Sequence, residues 1–133
     1  MLKTLLSALV AVMLAMPVWA EEPEIEATIS NQIEAFQADD FTRAFTFASP
    51  NIRRIFRTPE NFGRMVTQGY PMVWRPAAVE YLEQRTEAGA IWQKVRITDQ
   101  KGGVHILDYR MLQTEDGWKI NGVQLLESSS VAV

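Results

Sequence analysis

Few side chains in this sequence could do chemistry. His105 is the one histidine, Tyr109 follows it by four residues, and Tyr70 and Trp74 stand in a proline-bounded stretch. On a strand, His105 and Tyr109 would share a face about 13 Å apart, able to flank a small molecule without touching each other. With Tyr70 and Trp74 they offer aromatic walls and a few hydrogen-bonding tips, which is what a small-molecule pocket needs. The competing reading is that His105 and Tyr109 fill the interior and Trp74 plugs a seam. One histidine, no cysteine and scattered carboxylates predict no metal site and no cofactor. No glycine-rich phosphate loop and no serine-centred nucleophile motif stands out. Arg53, Arg54, Arg57 and Arg64 are the nearest thing to an anion site, although a solvated helix face is the first reading of such a run. The acidic balance, a formal charge of -3, argues against a nucleic-acid partner.

The elements that must position these groups begin with helices. Ile25, Ile29, Ile33 and Phe36 lay an apolar stripe along one helix, which is expected to end near Ala38. Asp40 then reads as the N-cap of a helix over 41–48, so its position is explained without a catalytic role. Ser49-Pro50 and Thr58-Pro59 repeat the start signal for helices over 51–56 and from Thr58 onward, the last stopping at Gly69 in a left-handed end. Pro71 and Pro76 push Tyr70 and Arg75 toward extended geometry, which predicts a short edge strand or rigid crossing segment between them.

Beyond Pro76 the period changes. Residues 77–86, 90–98, 104–114 and 118–126 are strand-length and separated by short turns, which predicts an antiparallel meander and an α+β fold. Glu83 with Arg85, Lys94 with Arg96, and Asp108 with Arg110 would share a solvent face, with opposite charges across strands. Leu82, Ile91, Val95, Ile97, Leu107 and Met111 would lie under the helices, together with His105 and Tyr109. Asn121-Gly122 reads as a bulge that lets Trp118, Ile120, Val123 and Leu125 all serve the core. By the same parity Tyr81, Trp92, Val104 and Ile106 fall on the charged face, where large apolar groups point to a covering partner, most simply a second copy in a homodimer.

Lys3, the apolar run from Leu5 to Met16, and Val18-Trp19-Ala20 form the pattern of a secretory signal peptide cut after Ala20. The run is shorter than the roughly 20 residues of a bilayer span, so no stable membrane anchor is expected after cleavage. The expected organisation is a leader over 1–20, one domain over 21–127 and a loose tail over 128–133, with a periplasmic or secreted destination. Without cysteine, an exported domain must be held by its core and not by disulfides.

Four stretches, IEAFQADDFTRAFTFASPNIRRIF (33–56), ENFGRMVTQGYPMVWRP (60–76), HILDYRM (105–111) and GWKINGVQLL (117–126), resemble a bacterial family known only as domain of unknown function 4864. The order of elements resembles the wider nuclear transport factor 2-like, or SnoaL-like, superfamily. That resemblance implies an N-terminal helical cover on a curved antiparallel sheet, a cone with a pocket, and a bacterial setting for the export. It establishes no activity, because fold does not fix function there. It does imply one enzymatic alternative, a lyase or isomerase in which His105 or Asp40 is the base and Tyr109 the donor. The residues favour non-catalytic binding of a small, partly apolar ligand over that alternative.

Overall fold

The computed structural model describes residues 22–130, so the expected leader and its cleavage after Ala20 lie outside the described residues. The apolar stripe forms α1 over Pro23–Gln37, with Ile25, Ile29, Ile33 and Phe36 all buried. Its neighbours are short helices: α2 over Phe41–Thr46, α3 over Pro50–Phe56 and α4 over Pro59–Gly69. Each starts on a side-chain cap, because Asp40, Ser49 and Thr58 accept from the backbone N–H of Arg43, Ile52 and Asn61 at 3.0, 3.2 and 3.1 Å. Such a bond satisfies one of the free donors of a first turn and is typically worth about 1 kcal/mol. The chain therefore folds into a cover of short capped segments.

Two local expectations change. The segment between Pro71 and Pro76 is not a strand but a single turn of helix, α5 over Pro71–Trp74, with Met72 and Val73 buried. Tyr70 leaves the helical region but stops short of extended geometry, at φ -134° and ψ 55°, and Pro71 then sits at a helix start where its missing N–H costs nothing. Gly69 is not the left-handed residue; α4 runs through it, and among non-glycine residues positive φ occurs at Asp39, Arg57 and Ala88.

The sheet is a four-stranded antiparallel meander in the order β1-β2-β3-β4. Its strands are β1 over Pro76–Glu87, β2 over Ala90–Asp99, β3 over Val104–Thr114 and β4 over Gly117–Ser129. β4 thus continues into residues expected to be tail. Helices followed by an open antiparallel sheet make an α+β domain, and the helices cover one face. That face carries Val95, Ile97, Leu107, Tyr109, Met111, Trp118 and Ile120, all buried. The bulge at Asn121 is present, since Met111 pairs with Ile120 and Arg110 with Gly122. Trp118 and Ile120 before it, and Val123 and Leu125 after it, consequently share the covered face. Leu125 nonetheless remains 45% exposed, because the helices do not reach that end of β4.

A second bulge was not foreseen. Tyr81 pairs with Val95 but Gln84 with Gln93, so Leu82 and Glu83 together stand opposite Lys94 alone. This extra residue reverses the parity of β1. Tyr81 therefore lies on the helix-covered face, not the charged one, and its hydroxyl bonds to that of Ser30 on α1. Leu82, expected under the helices, falls in the bulge and is half-buried. Gln93, fully buried, holds the bulge by donating to the carbonyl of Leu82 at 3.0 Å.

The outer face is the expected charged one. Ion pairs cross it between Glu80 and Arg96, Glu83 and Lys94, and Arg85 and Asp108. Trp92, Val104 and Ile106 are there too, each half-buried. The Arg85 and Arg110 guanidiniums lie 5.6 and 6.0 Å from the Trp92 ring centre, so part of that ring is covered by the chain's own side chains. Among the described residues no helix is long and apolar enough to cross a membrane.

Candidate functional site

An apolar cavity of about 380 Å³ lies between the helical cover and the covered face of the sheet. Gln32 and Phe36 of α1 form one wall, Ile52, Ile55 and Phe56 of α3 a second, and Phe62, Met65 and Val66 of α4 a third. Tyr109, Ile120, Gly122 and Val123 make the sheet-side floor. The segment after α2 docks directly on β4 beside this floor. Ser49 N–H donates to the Ile120 carbonyl there at 2.8 Å, and Ile120 N–H donates to the Phe47 carbonyl at 2.9 Å. The Ser49 hydroxyl adds a 2.7 Å bond to Asn121, the bulge residue, so the bulge anchors α3 against the sheet. Ile55 lines the cavity and is 62% exposed, which places it at the mouth.

Tyr109 is the polar feature of this chamber. Its side chain is fully buried, it lines the cavity, and its hydroxyl has no hydrogen-bond partner. Burial, and secondarily the nearby Tyr81 and Tyr70, push its pKa upward, so the phenol stays protonated and can donate. An unpaired buried hydroxyl costs about 1–3 kcal/mol, a cost that a ligand acceptor would remove. Gln32 is the other buried polar residue of the wall, its amide donating to the Ala44 carbonyl at 3.2 Å.

Of the four residues expected to form a pocket, the structure brings Tyr70 and Tyr109 to this cavity but not Trp74 or His105. Trp74 instead closes the end of α1, where its indole N–H donates to Asp39 at 2.8 Å and the Arg75 guanidinium stacks 4.3 Å above its ring. Arg75 also binds both Asp39 oxygens, at 3.0 and 3.1 Å, and the carbonyls of Phe36 and Gln37. Trp74 is thus the plug of a seam. Asp40 acts as a cap and does not line the cavity.

His105 belongs to a separate hydrogen-bonded chain that the sequence did not suggest. Its Nε2 lies 2.7 Å from Asp99 and its Nδ1 2.7 Å from Ser128. Asp99 in turn accepts from the backbone N–H groups of Lys101 and Gly103, both at 2.9 Å. A carboxylate, an imidazole and a hydroxyl in line can relay a proton, yet none of the three lines the cavity. What the chain does is tie the end of β4 to the β2–β3 hairpin. A discernible signal was Asp99 ahead of Gly102-Gly103, an Asx-turn pattern; Ser128 was hidden by its place in an apparent tail.

The Asp99 carboxyl is held below its ordinary value of 3.8, first by the bond to His105 and then by that from Gly103. A lowered folded-state pKa makes this contribution complete above the ordinary value and lost as pH falls through the lowered one. We expect the amide proton shifts of Lys101 and Gly103 to titrate together with a midpoint below 3.8. A midpoint at or above that value would show that the chain does not form in solution.

Among the described residues, no cluster of three or more His, Cys, Asp or Glu side chains could hold a metal ion. No protein with curated annotation and no solved structure matches the chain. The family described as Domain of unknown function (DUF4864) matches residues 19–133, nearly the whole sequence. The protein is accordingly a member of the DUF4864 family.

Proposed function

We propose that the protein is an exported binding protein for a small amphiphilic molecule whose apolar body fills the cavity and whose one acceptor group meets Tyr109. The observation that carries this is Tyr109, a residue of the cavity wall whose hydroxyl is fully buried and unpartnered. The cavity volume falls within the usual range of about 300–1,000 Å³ for ligand sites. Export is supported by the leader pattern of residues 1–20. Membership of the nuclear transport factor 2-like superfamily, with its cone, is supported by the order of elements and by a cavity between cover and sheet. A lyase or isomerase loses support, because His105 is engaged away from the cavity and Asp40 is a cap.

The test is binding of N-phenyl-1-naphthylamine by fluorescence, followed by its displacement with straight-chain carboxylic acids and alcohols of graded length. One saturable site is expected, with competition that strengthens with chain length. Tyr109→Phe should move two quantities in opposite directions. The free protein gains about 1 kcal/mol of stability by losing an orphan hydroxyl, while competitor affinity falls about five- to tenfold. A destabilised variant with unchanged affinity would sink the reading.

A further inference from the structure

The charges of this protein are segregated along the chain. Residues 41–79, which hold α2 to α5, carry six arginines against a single acid, Glu60, a formal charge of +5 in a sequence whose total is -3. Arg43 and Arg75 are paired, with Glu34 and Asp39. Arg53, Arg54, Arg57 and Arg64 have no ion pair among the described residues; on the sheet Arg85, Lys94 and Arg96 are paired, while Arg110 and Lys119 are not. Arg53 even buries its Nε without a partner. Three of these four cations lie on or immediately after α3, the helix that supplies Ile52, Ile55 and Phe56 to the cavity. Ile55, 62% exposed at the mouth, therefore projects from within an unpaired basic rim.

We infer that this rim, Arg53, Arg54, Ile55 and Arg57, is a docking surface for an anionic lipid bilayer, with Ile55 entering the interface beside the cavity mouth. Two observations select a bilayer over other anionic partners. Cations surrounding an exposed aliphatic group match a surface with anionic headgroups over an apolar layer. The same rim opens into an apolar chamber, so a molecule leaving the bilayer tail-first meets the cavity without crossing water. An acidic protein surface would satisfy the arginines but not Ile55 or the opening behind it. The inference takes its ligand from the amphiphile reading above, but the docking can be tested separately.

The chain is expressed from Met1, so that any processing proceeds as it does in the cell, and its final mass is recorded. Co-sedimentation is then compared on vesicles of phosphatidylglycerol with phosphatidylcholine and on vesicles of phosphatidylcholine alone. The readout is the ratio of the two affinities, which cancels any binding common to both surfaces. A ratio above ten at low salt is expected, collapsing in 0.5 M salt as the charges are screened. Each basic residue near such a surface is worth roughly a fivefold change in affinity. Arg54→Glu with Arg57→Gly should therefore lower anionic binding more than tenfold; both sites are exposed, and Gly suits the positive-φ γ-turn at Arg57, where Thr58 N–H bonds to the Phe56 carbonyl at 2.9 Å. Ile55→Ser should weaken anionic binding with the salt dependence unchanged. Equal affinity for both vesicles, or wild-type binding by the double variant, would overturn the inference. So would capture by polyglutamate with no vesicle binding, which would assign the rim to an acidic protein. Vesicle binding decides the docking surface whatever the naphthylamine result, and that result decides the cavity whatever the vesicles show.

Discussion

Phe36→Ala is expected to lower the free energy of unfolding by about 3–5 kcal/mol, the usual cost of truncating a buried aromatic side chain. Phe36 is 1% exposed and its ring meets those of Phe41 and Phe62 at centroid distances of 6.2 and 5.6 Å. It is thus the point where α1, α2 and α4 meet over the sheet. A domain of this size has only about 5–15 kcal/mol in all, so the loss is a large fraction of its stability. Urea unfolding with an unchanged slope is the measurement. Because Phe36 also lines the cavity, the truncation enlarges it, and a bulkier apolar probe should bind where the native chain excludes it. A loss below about 1 kcal/mol would mean that the helical cover does not pack as described. Phe36→Leu, which keeps most of the volume, provides a folded control.

Arg85→Ala is expected to cost about 2–3 kcal/mol. Asp108 has a side chain only 3% exposed and receives both Arg85 terminal nitrogens, at 2.9 and 2.7 Å. Removing the cation leaves a carboxylate buried on the outer face without its main partner, which in a fully buried pair costs about 3–5 kcal/mol. The figure is lower here because Arg85 is 33% exposed, and water can take part of its place. The double variant Arg85→Met with Asp108→Leu should lose less than Arg85→Ala alone, since it removes the charge along with its partner. Equal losses in the two would show that packing of the Arg85 stem, and not the stranded carboxylate, sets the cost.

The short helices were legible because capping is local: Asp40, Ser49 and Thr58 each act on an N–H three residues ahead. The meander was legible because its turns are short, and Asn121-Gly122 marked its own bulge. The unpaired arginine run was visible as a run, but whether those cations found partners was not. The bulge at Leu82 and Glu83 carries no Gly, Asn or Pro, and its existence depends on counting residues against β2. Parity reasoning therefore put Tyr81 on the wrong face, while Trp92, on the regular β2, fell where expected. Single-turn α5 was misread because a proline that keeps its predecessor out of the helical region can also begin a helix. His105 and Tyr109 share a strand face, as spacing required, but the cavity opens over only one of them. By itself the sequence determined what depends on near neighbours along the chain: caps, turns, strand lengths and the alternation of faces. The tertiary structure alone decided which end of the covered face stays unfilled, because that depends on where α3 and α4 come to rest over β4 and leave the Tyr109 hydroxyl without a partner.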